Sequence, residues 1–333
     1  MRIGLAGVGR IGTFHADVLS GLPTVDSVII ADPDTARARE ISERLGVGVA
    51  DSPKVLLNSG IDALVIAAPT QSHPELIVRG AEAGLPVFCE KPVAPDIEST
   101  LEVIKRIGGA ATAVQVGFQR RFDVGYGNAR EAVQSGALGW VHTLRATTLD
   151  PVPPAASYIV TSGGLFRDCG VHDFDAIRWV TNRDVAEVYA FGTNRGADYF
   201  RAAGDIDTMA AILTLDDDSI AVVSNTRYNG AGYDVRLEVL GSQDSIGVGL
   251  DDGLPLRSAE PGTVFPSGTP YPSSFERFAD AYRCELRAFV DLAATGGESL
   301  CTLQDALEAF YVAEACEVSL ARHEPVRVGE VRR

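Results

Sequence analysis

Lysine is scarce in this sequence: of 29 basic residues only three are lysines, Lys54, Lys91 and Lys105. The 45 acidic residues outnumber the basic ones and leave a formal net charge of −16. Binding to nucleic acid needs a concentrated basic face that contacts phosphates, and no basic run occurs here. The composition therefore argues against a nucleic-acid partner.

Paired cysteines and long apolar runs are also missing. The five cysteines are an odd number at wide spacings, without the C-x-x-C pairs of zinc sites and redox dithiols. No stretch approaches the ~18 consecutive apolar residues of a membrane span. A glycine-rich motif follows Met1 within a few residues and leaves no room for a signal peptide. We expect a reduced, cytoplasmic protein with no metal site and no membrane partner.

The 333 residues are 46% hydrophobic and 22% charged, as in a globular chain. At roughly 150 residues per domain, the length suggests two domains. In the first third of the chain, strands are predicted after residue 1 and at about 27–31, 63–67, 86–89 and 112–116. Helices are predicted between them at about 34–45, 72–83 and 96–107. Short apolar strands separated by amphipathic helices indicate a parallel sheet covered on both faces.

The first predicted strand leads into a G-x-G-x-x-G motif that opens a helix and reads Gly7-Val8-Gly9-Arg10-Ile11-Gly12. In such motifs Gly7 would allow the tight turn, Gly9 the approach of a pyrophosphate, and Gly12 close packing of helix on sheet. Asp32 lies 20 residues beyond Gly12 and suits hydrogen bonds to ribose hydroxyls, while its charge repels a 2′-phosphate. The alternative for Asp32 is a turn residue in an Asp-Pro-Asp sequence. We predict an NAD site that favours NAD over NADP.

Two further loops follow strands of the same predicted sheet, at the edge where ligands bind in such folds. The first loop contains Pro69, Thr70 and His73, and the second contains Glu90 and Lys91. The first loop equally suits a helix N-terminus, with a proline and a glutamate in the first turn, and the two roles are compatible. We expect both loops to contribute to cofactor binding.

These motifs, in this order and spacing, resemble the glucose-fructose oxidoreductase and inositol dehydrogenase family, written Gfo/Idh/MocA. The triplet Glu90-Lys91-Pro92 is the family's signature, and residues 163–175 match a second block, Gly-Gly-Leu-Phe-Arg-Asp-Cys-Gly-Val-His-Asp-Phe-Asp. With residues 117–123, this block is most similar to inositol 2-dehydrogenases. The resemblance implies an α/β protein with a doubly wound, parallel Rossmann sheet at 1–119. At 120–333 it implies an α/β domain for substrate binding and oligomerisation, with a large, open, mostly antiparallel sheet.

The pattern of the second half is compatible with that architecture. Strand-like segments follow one another closely, as antiparallel neighbours do, at 140–149, 185–193, 207–215, 219–226, 234–240 and 244–248. Helices are predicted at 123–135, 164–180, 276–294 and 302–322. The family precedent implies closed homo-oligomers, either tetramers or dimers.

Oxidation of a secondary alcohol needs a hydride acceptor, a base and a positive group near the developing oxyanion. Asp168, His172 and Asp175 fall at i, i+4 and i+7, on one face of the predicted helix after a double glycine. On the family's precedent, His172 takes the hydroxyl proton, and Lys91 and Asp168 polarise the hydroxyl and relay charge. Asp175 then binds a neighbouring substrate hydroxyl. The alternatives are ordinary helix polarity for the carboxylates and a buried structural histidine.

Three other side chains are weaker candidates for substrate binding. Arg120 and Arg121 follow the sixth predicted strand, and either reach the substrate or cofactor or form exposed salt bridges. Tyr233 resembles a position that lines the polyol site of inositol dehydrogenases, with simple packing as its alternative.

The resemblance implies NAD-dependent oxidation of a cyclic polyol, with myo-inositol and its 2-keto product as the specific expectation. Another inositol isomer, a sugar or a cyclitol intermediate is the near alternative. Two other classes stay open: an NAD-dependent glycoside-cleaving enzyme with no net redox change, and a non-catalytic dinucleotide-binding regulator.

Overall fold

The computed structural model describes residues 1–108 and 112–332, which form two compact units. The first unit comprises 1–119 and 282–307, and the second comprises 120–281 and the chain from 308 onward. The division after residue 119 falls where the predicted domain boundary lies. Residues 282–307, predicted for the second domain, group with the first unit instead. The physical reason is apolar burial, because Leu286, Phe289 and Val290 lie in the core of the first unit.

A six-stranded sheet forms the centre of the first unit. Its strands are β1 (Arg2–Ala6), β2 (Ser27–Ala31), β3 (Gly48–Val49), β4 (Ala63–Ile66), β5 (Val87–Glu90) and β6 (Val114–Gly117). All pairs are parallel, in the order β3-β2-β1-β4-β5-β6. This order confirms the predicted Rossmann sheet. The direction of winding changes between β1 and β4, and dinucleotides bind at such a switch point.

Five helices connect these strands. They are α1 (Arg10–Gly21), α2 (Thr35–Leu45), α3 (Pro53–Leu57), α4 (His73–Glu82) and α5 (Ile97–Ile107). Asp34, Ser52 and Asp96 cap three of them by accepting a backbone N–H. Helix α1 differs, because it begins after Gly9 without a side-chain cap, and its first turn, all within the described chain, carries no acidic residue. Its first N–H groups are therefore available to an anionic ligand.

The second unit is built on a seven-stranded sheet. Its strands are β7 (Val141–Leu149), β8 (Val185–Thr193), β9 (Thr208–Leu215), β10 (Ile220–Thr226), β11 (Asp234–Gly241), β12 (Ser245–Val248) and β13 (Val326–Arg327). The order is β12-β11-β7-β10-β9-β8-β13, and among the described strands only β7 and β10 pair in parallel. The predicted large, mostly antiparallel sheet is confirmed, and β13 has no counterpart among the predicted strands.

The remaining helices are α6 (Val124–Gln134), α7 (Ala156–Ile159), α8 (Val171–Thr181), α9 (Asp198–Ala202), α10 (Ser274–Arg277), α11 (Ala279–Thr295) and α12 (Leu303–Arg322). The division between the units falls within α11 and α12. The helix predicted at 164–180 is confirmed as one continuous helical segment, in which Phe166–Gly170 form a π-helical turn that leads directly into α8. No helix in residues 1–108 and 112–332 is long and apolar enough to cross a membrane.

One face of the seven-stranded sheet is open. Burial alternates along β9 and β10, so that every second side chain points outward. Ile212 pairs with both Tyr189 and Val222 across the strands, and these form an apolar row with Phe191 and Ile220 close by. In the isolated chain Phe191, Ile212, Ile220 and Val222 are exposed. This set of five residues is called the open face below.

Candidate active site

The three glycines of the loop between β1 and α1 have different surroundings. Gly7 has φ +93°, and a Cβ built there would lie 2.6 Å from the Ala67 carbonyl oxygen. A Cβ on Gly12 would lie 2.1 Å from the carbonyl oxygen of Gly7, so both positions require glycine. A Cβ on Gly9 would meet no atom of the described residues within 4 Å. The open space before the N-terminus of α1 therefore fits a pyrophosphate.

Asp32 is fixed at the end of β2 with only 6% of its surface exposed. Its Oδ2 accepts a hydrogen bond from the Val8 N–H at 2.8 Å, and its Oδ1 accepts from the Asp34 N–H at 2.8 Å. Arg37 Nη2 also donates to Oδ1 at 2.7 Å. Burial would raise the pKa of Asp32, but these bonds together lower it below the ordinary value. The charged carboxylate occupies the position of the ribose-binding acid of Rossmann domains.

His73 connects the loops that follow β4 and β5. Its buried ring has Nδ1 2.7 Å from the Pro92 carbonyl oxygen and Nε2 2.8 Å from the Ala68 carbonyl oxygen. Burial lowers the pKa of His73, and the two carbonyl contacts oppose that shift only in part. Both ring nitrogens are thus engaged by the backbone, and the histidine connects the two loops. Thr70 is half-buried and Pro69 exposed on the same loop.

Glu90 and Lys91 lie at the carboxyl end of β5. Glu90 Oε1 lies 2.6 Å from Nε2 of His15, whose side chain has no exposed surface. The predicted cofactor residue Glu90 therefore anchors the end of β5 to α1. Lys91 follows directly and is half-buried. Its backbone lies at the same edge of the parallel sheet as the glycine loop.

Asp168 and His172 lie at the junction between the π-helical turn and α8. Asp168 is inside the turn and His172 is the second residue of α8, so they do not share one regular α-helix as predicted. Asp168 Oδ2 accepts from Arg227 Nη2 at 2.6 Å, and its Oδ1 accepts from the Tyr158 hydroxyl at 2.9 Å. His172 is half-buried. Single π-helical turns are frequent at functional sites.

Arg227, which sequence reasoning missed, follows β10 directly and is 3% exposed. Its Nη1 lies 3.1 Å from Asp150 Oδ2 and 2.8 Å from Cys169 Sγ. Burial would lower the pKa of Arg227, but Cys169 and the two carboxylates raise it above the ordinary value. Tyr233 is almost fully buried near this group, and burial, with contributions from Asp150 and Cys169, raises its pKa. The structure thus brings the predicted residue Asp168 into one buried cluster with Arg227, Asp150 and Cys169.

The predicted substrate residues Arg121 and Asp175 are paired with each other. Asp175 has no exposed surface, and Arg121 donates to it from Nη2 at 2.6 Å and from Nε at 3.0 Å. Arg120 forms a similar buried pair with Asp173 at 2.5 Å. Both arginines thus form salt bridges, and these are buried and not exposed as expected. Asp175 is placed to orient Arg121.

Models of one oxidoreductase family match both units of the chain. Residues 1–118 match the model described as "Oxidoreductase family, NAD-binding Rossmann fold", and residues 126–247 match the GFO/IDH/MocA C-terminal domain. The chain is 34% identical to the myo-inositol 2-dehydrogenase of Thermotoga maritima, over 99% of each protein. It is 30% identical to the scyllo-inositol 2-dehydrogenase (NAD(+)) of Bacillus subtilis, over 98% of this chain and 96% of that protein.

A solved structure extends the similarity to three dimensions. The scyllo-inositol dehydrogenase of Lactobacillus casei, with bound cofactor NAD(H) and scyllo-inositol, superposes with a TM-score of 0.90 at 29% identity, covering 99% of both chains. The chain belongs to the GFO/IDH/MocA family of oxidoreductases, and its first unit is built on the NAD-binding Rossmann domain of that family.

Proposed function

We propose that this protein is an NAD-dependent inositol dehydrogenase that oxidises myo-inositol to its 2-keto product. The observation that carries the proposal is the arrangement at Asp168, a carboxylate held on both oxygens four residues before the half-buried His172. A fixed carboxylate of this kind favours the imidazolium that forms when His172 accepts a proton. The full-length similarity to myo- and scyllo-inositol dehydrogenases supports the choice of substrate.

The first unit fits NAD. The glycine loop 7–12, Asp32, Pro69 and Thr70 would hold the dinucleotide, because the loop leaves open space at Gly9 and α1 offers its first N–H groups. When bound, NAD supplies the acceptor for the hydride that leaves the carbinol carbon.

The proposed proton transfer uses residues of this chain. His172, as the neutral imidazole, takes the hydroxyl proton. Lys91 provides the positive charge that stabilises the oxygen as the proton and hydride depart. A lysine suits this position better than an arginine, since a compact ammonium can also exchange a proton. Arg121, oriented by Asp175, and Tyr233 bind the other hydroxyls of the ring.

The assembly is part of the proposal. A second copy of the chain covers the open face, because a contiguous apolar surface on a sheet marks an interaction site, and closed dimers or tetramers follow from symmetry. Ile212→Asp is expected to give monomers in analytical ultracentrifugation, and unchanged oligomers would contradict this interface. We also propose a cytoplasmic location, since none of the five cysteines of the described chain forms a disulfide.

The test is a substrate panel. Purified protein is incubated with NAD and with myo-, scyllo- or chiro-inositol, pyranose sugars and glycosides, while NADH absorbance is recorded. We expect NADH formation with myo-inositol. A faster rate with another isomer would reassign the substrate, and no NADH with any inositol would overturn the proposal. Sugar release from a glycoside without NADH accumulation would indicate the glycoside-cleaving class.

A further inference from the structure

We propose that Arg227 is a positioning residue that holds Asp168 as a fixed, charged carboxylate for proton transfer at His172. Tyr158 supports the same carboxylate from its other oxygen. The inference rests on the proposed function, because it assigns Asp168 and His172 the roles given above.

The geometry of the guanidinium supports this role. Arg227 Nη2 is 2.6 Å from Asp168 Oδ2, while Nη1 reaches Asp150 Oδ2 at 3.1 Å. One cation thus separates two carboxylates that would otherwise repel each other and favour protonation. The planar fork contacts both at once, which the single ammonium of a lysine cannot reproduce.

The position of Arg227 in the sheet explains how the cluster forms. Strands β7 and β10 are parallel neighbours, with Thr226 paired to Leu149, so the residues that follow them lie at the same edge. These residues are Asp150 and Arg227. The π-helical turn places Asp168 and Cys169 at that edge, where both contact Arg227.

Both oxygens of Asp168 accept hydrogen bonds, from Arg227 on one side and from the Tyr158 hydroxyl on the other. A carboxylate that accepts a hydrogen bond on each oxygen keeps its orientation and its charge. Asp168 therefore acts on His172 by a fixed negative charge and does not itself carry the proton. This differs from the charge relay implied by the family resemblance.

The titratable groups that interact with the Arg227 guanidinium come from several segments. They are Asp150, Asp168 and Cys169 at close range, with Tyr199 and Asp205 further away. Removing the positive charge raises the pKa of every acid near it. The acid limb of the pH-rate profile is therefore expected to move to higher pH when the charge is lost.

The experiment compares Arg227→Met and Arg227→Lys. Arg227→Met is expected to lower kcat for inositol oxidation on the order of 100-fold, as for a misplaced catalytic group, and to move the acid limb upward. The KM for NAD stays unchanged, because the dinucleotide motif belongs to the first unit. Arg227→Lys keeps the charge without the fork, so the acid limb stays near the wild-type position while kcat is only partly restored.

The matched control is Arg236→Met. Arg236 also pairs through two nitrogens with a buried aspartate of the same sheet, Asp234, at 2.8 and 3.1 Å. The Arg236→Met variant is expected to lose thermal stability without any shift of its pH-rate profile. A wild-type profile in folded Arg227→Met, or an equal shift in Arg236→Met, would overturn the inference.

Two further measurements keep the inference testable. If Arg227→Met does not fold, Tyr158→Phe removes only the second hydrogen bond and is expected to lower kcat several-fold and to raise the acid limb. Wild-type values of kcat and of the acid limb in Tyr158→Phe would contradict the proposed role of the hydrogen bonds to Asp168. If the wild type oxidises no polyol, the proposed function fails separately. An NMR titration of the His172 ring then tests the inference in the wild type and both Arg227 variants. Arg227→Met should raise the titration midpoint of His172, and Arg227→Lys should leave it unchanged. Equal midpoints in all three proteins would refute the role of Arg227.

Discussion

The two units hold their functional residues in different ways. In the first unit the backbone does most of the positioning: Asp32 accepts from two backbone N–H groups, and both ring nitrogens of His73 contact carbonyl oxygens. In the second unit side chains hold side chains, as in the pairs Arg227–Asp168 and Arg121–Asp175. A backbone-held site depends on local chain geometry, whereas a site of buried ion pairs depends on partners distant in sequence.

The difference has energetic consequences. Loss of one partner of a buried ion pair leaves an uncompensated charge and costs about 3–5 kcal/mol. A hydrogen bond from backbone to carboxylate survives most substitutions nearby, since every residue except proline has the N–H. We therefore expect the second unit to be the more sensitive to single side-chain substitutions, and the first to be sensitive mainly where glycine is required.

The largest effect is expected from the proposed reacting groups, one in each unit. Lys91→Ala and His172→Ala should each reduce turnover of inositol by about 10²–10⁴-fold, the usual contribution of a proton-transfer group. NAD affinity, measured by fluorescence quenching, should stay within a few-fold of wild type. The controls are Lys105→Ala, whose side chain is 82% exposed, and His142→Ala, which is also exposed. Near wild-type turnover in either active-site variant would refute its assigned role.

The glycine loop offers the sharpest contrast within the first unit. Gly12→Ala places a Cβ 2.1 Å from the Gly7 carbonyl oxygen, and relief of that clash is expected to cost about 1–3 kcal/mol of unfolding free energy. Gly9→Ala meets open space, so the fold should keep its stability while NAD binds more weakly. Thermal unfolding and NAD titration of both variants test this. Equal losses of stability would show that the space at Gly9 is not kept for a ligand.

Cofactor preference tests the backbone-held carboxylate directly. Asp32→Ser removes the charge that repels a 2′-phosphate and leaves Arg37, now without its 2.7 Å partner, as a cation for that phosphate. The ratio of kcat/KM for NAD over NADP should fall at least about tenfold, equivalent to about 1.4 kcal/mol. The double variant Asp32→Ser with Arg37→Met should lose the gain in NADP use. A ratio that stays at the wild-type value would exclude Asp32 as the discriminating group.

How far the sequence predicts each unit follows from the same contrast. The glycine loop, Asp32 and most of the strand pattern are local signals, and the structure has the predicted strands of the first sheet together with the unpredicted β3. His73 and Glu90 turn inward to partners 19 and 75 residues away, which no local pattern reveals. Asp150 and Arg227 are 77 residues apart and meet because β7 and β10 are parallel, and the π-helical turn brings Asp168, 59 residues before Arg227, to the same edge. A polar residue directly after each of these strands is visible in the sequence, but it indicates a shared cluster only when the pairing of β7 with β10 is known.

An effect on stability alone concerns a buried carboxyl group that the proposed chemistry does not use. Glu285 in α11 is fully buried, and neither of its oxygens has a hydrogen-bond partner among the described residues. Burial, with the nearby Glu90 charge, raises its pKa well above 4.5. The neutral form is thus favoured in the fold. The contribution of the neutral Glu285 carboxyl to the free energy of unfolding is complete below the ordinary pKa of a glutamate. This contribution is lost as pH rises toward the pKa of Glu285 in the folded state.

Glu285→Gln is neutral at every pH and should therefore stabilise the protein increasingly above pH 4.5, by about 1.4 kcal/mol per pH unit until the folded pKa is reached. Thermal unfolding at pH 5 and at pH 8 gives the comparison, with the exposed Glu298→Gln as the control. A pH-independent difference would mean that Glu285 is ionised in the fold. The first unit would then hold a buried unpaired charge, and its contrast with the ion-paired second unit would be lost.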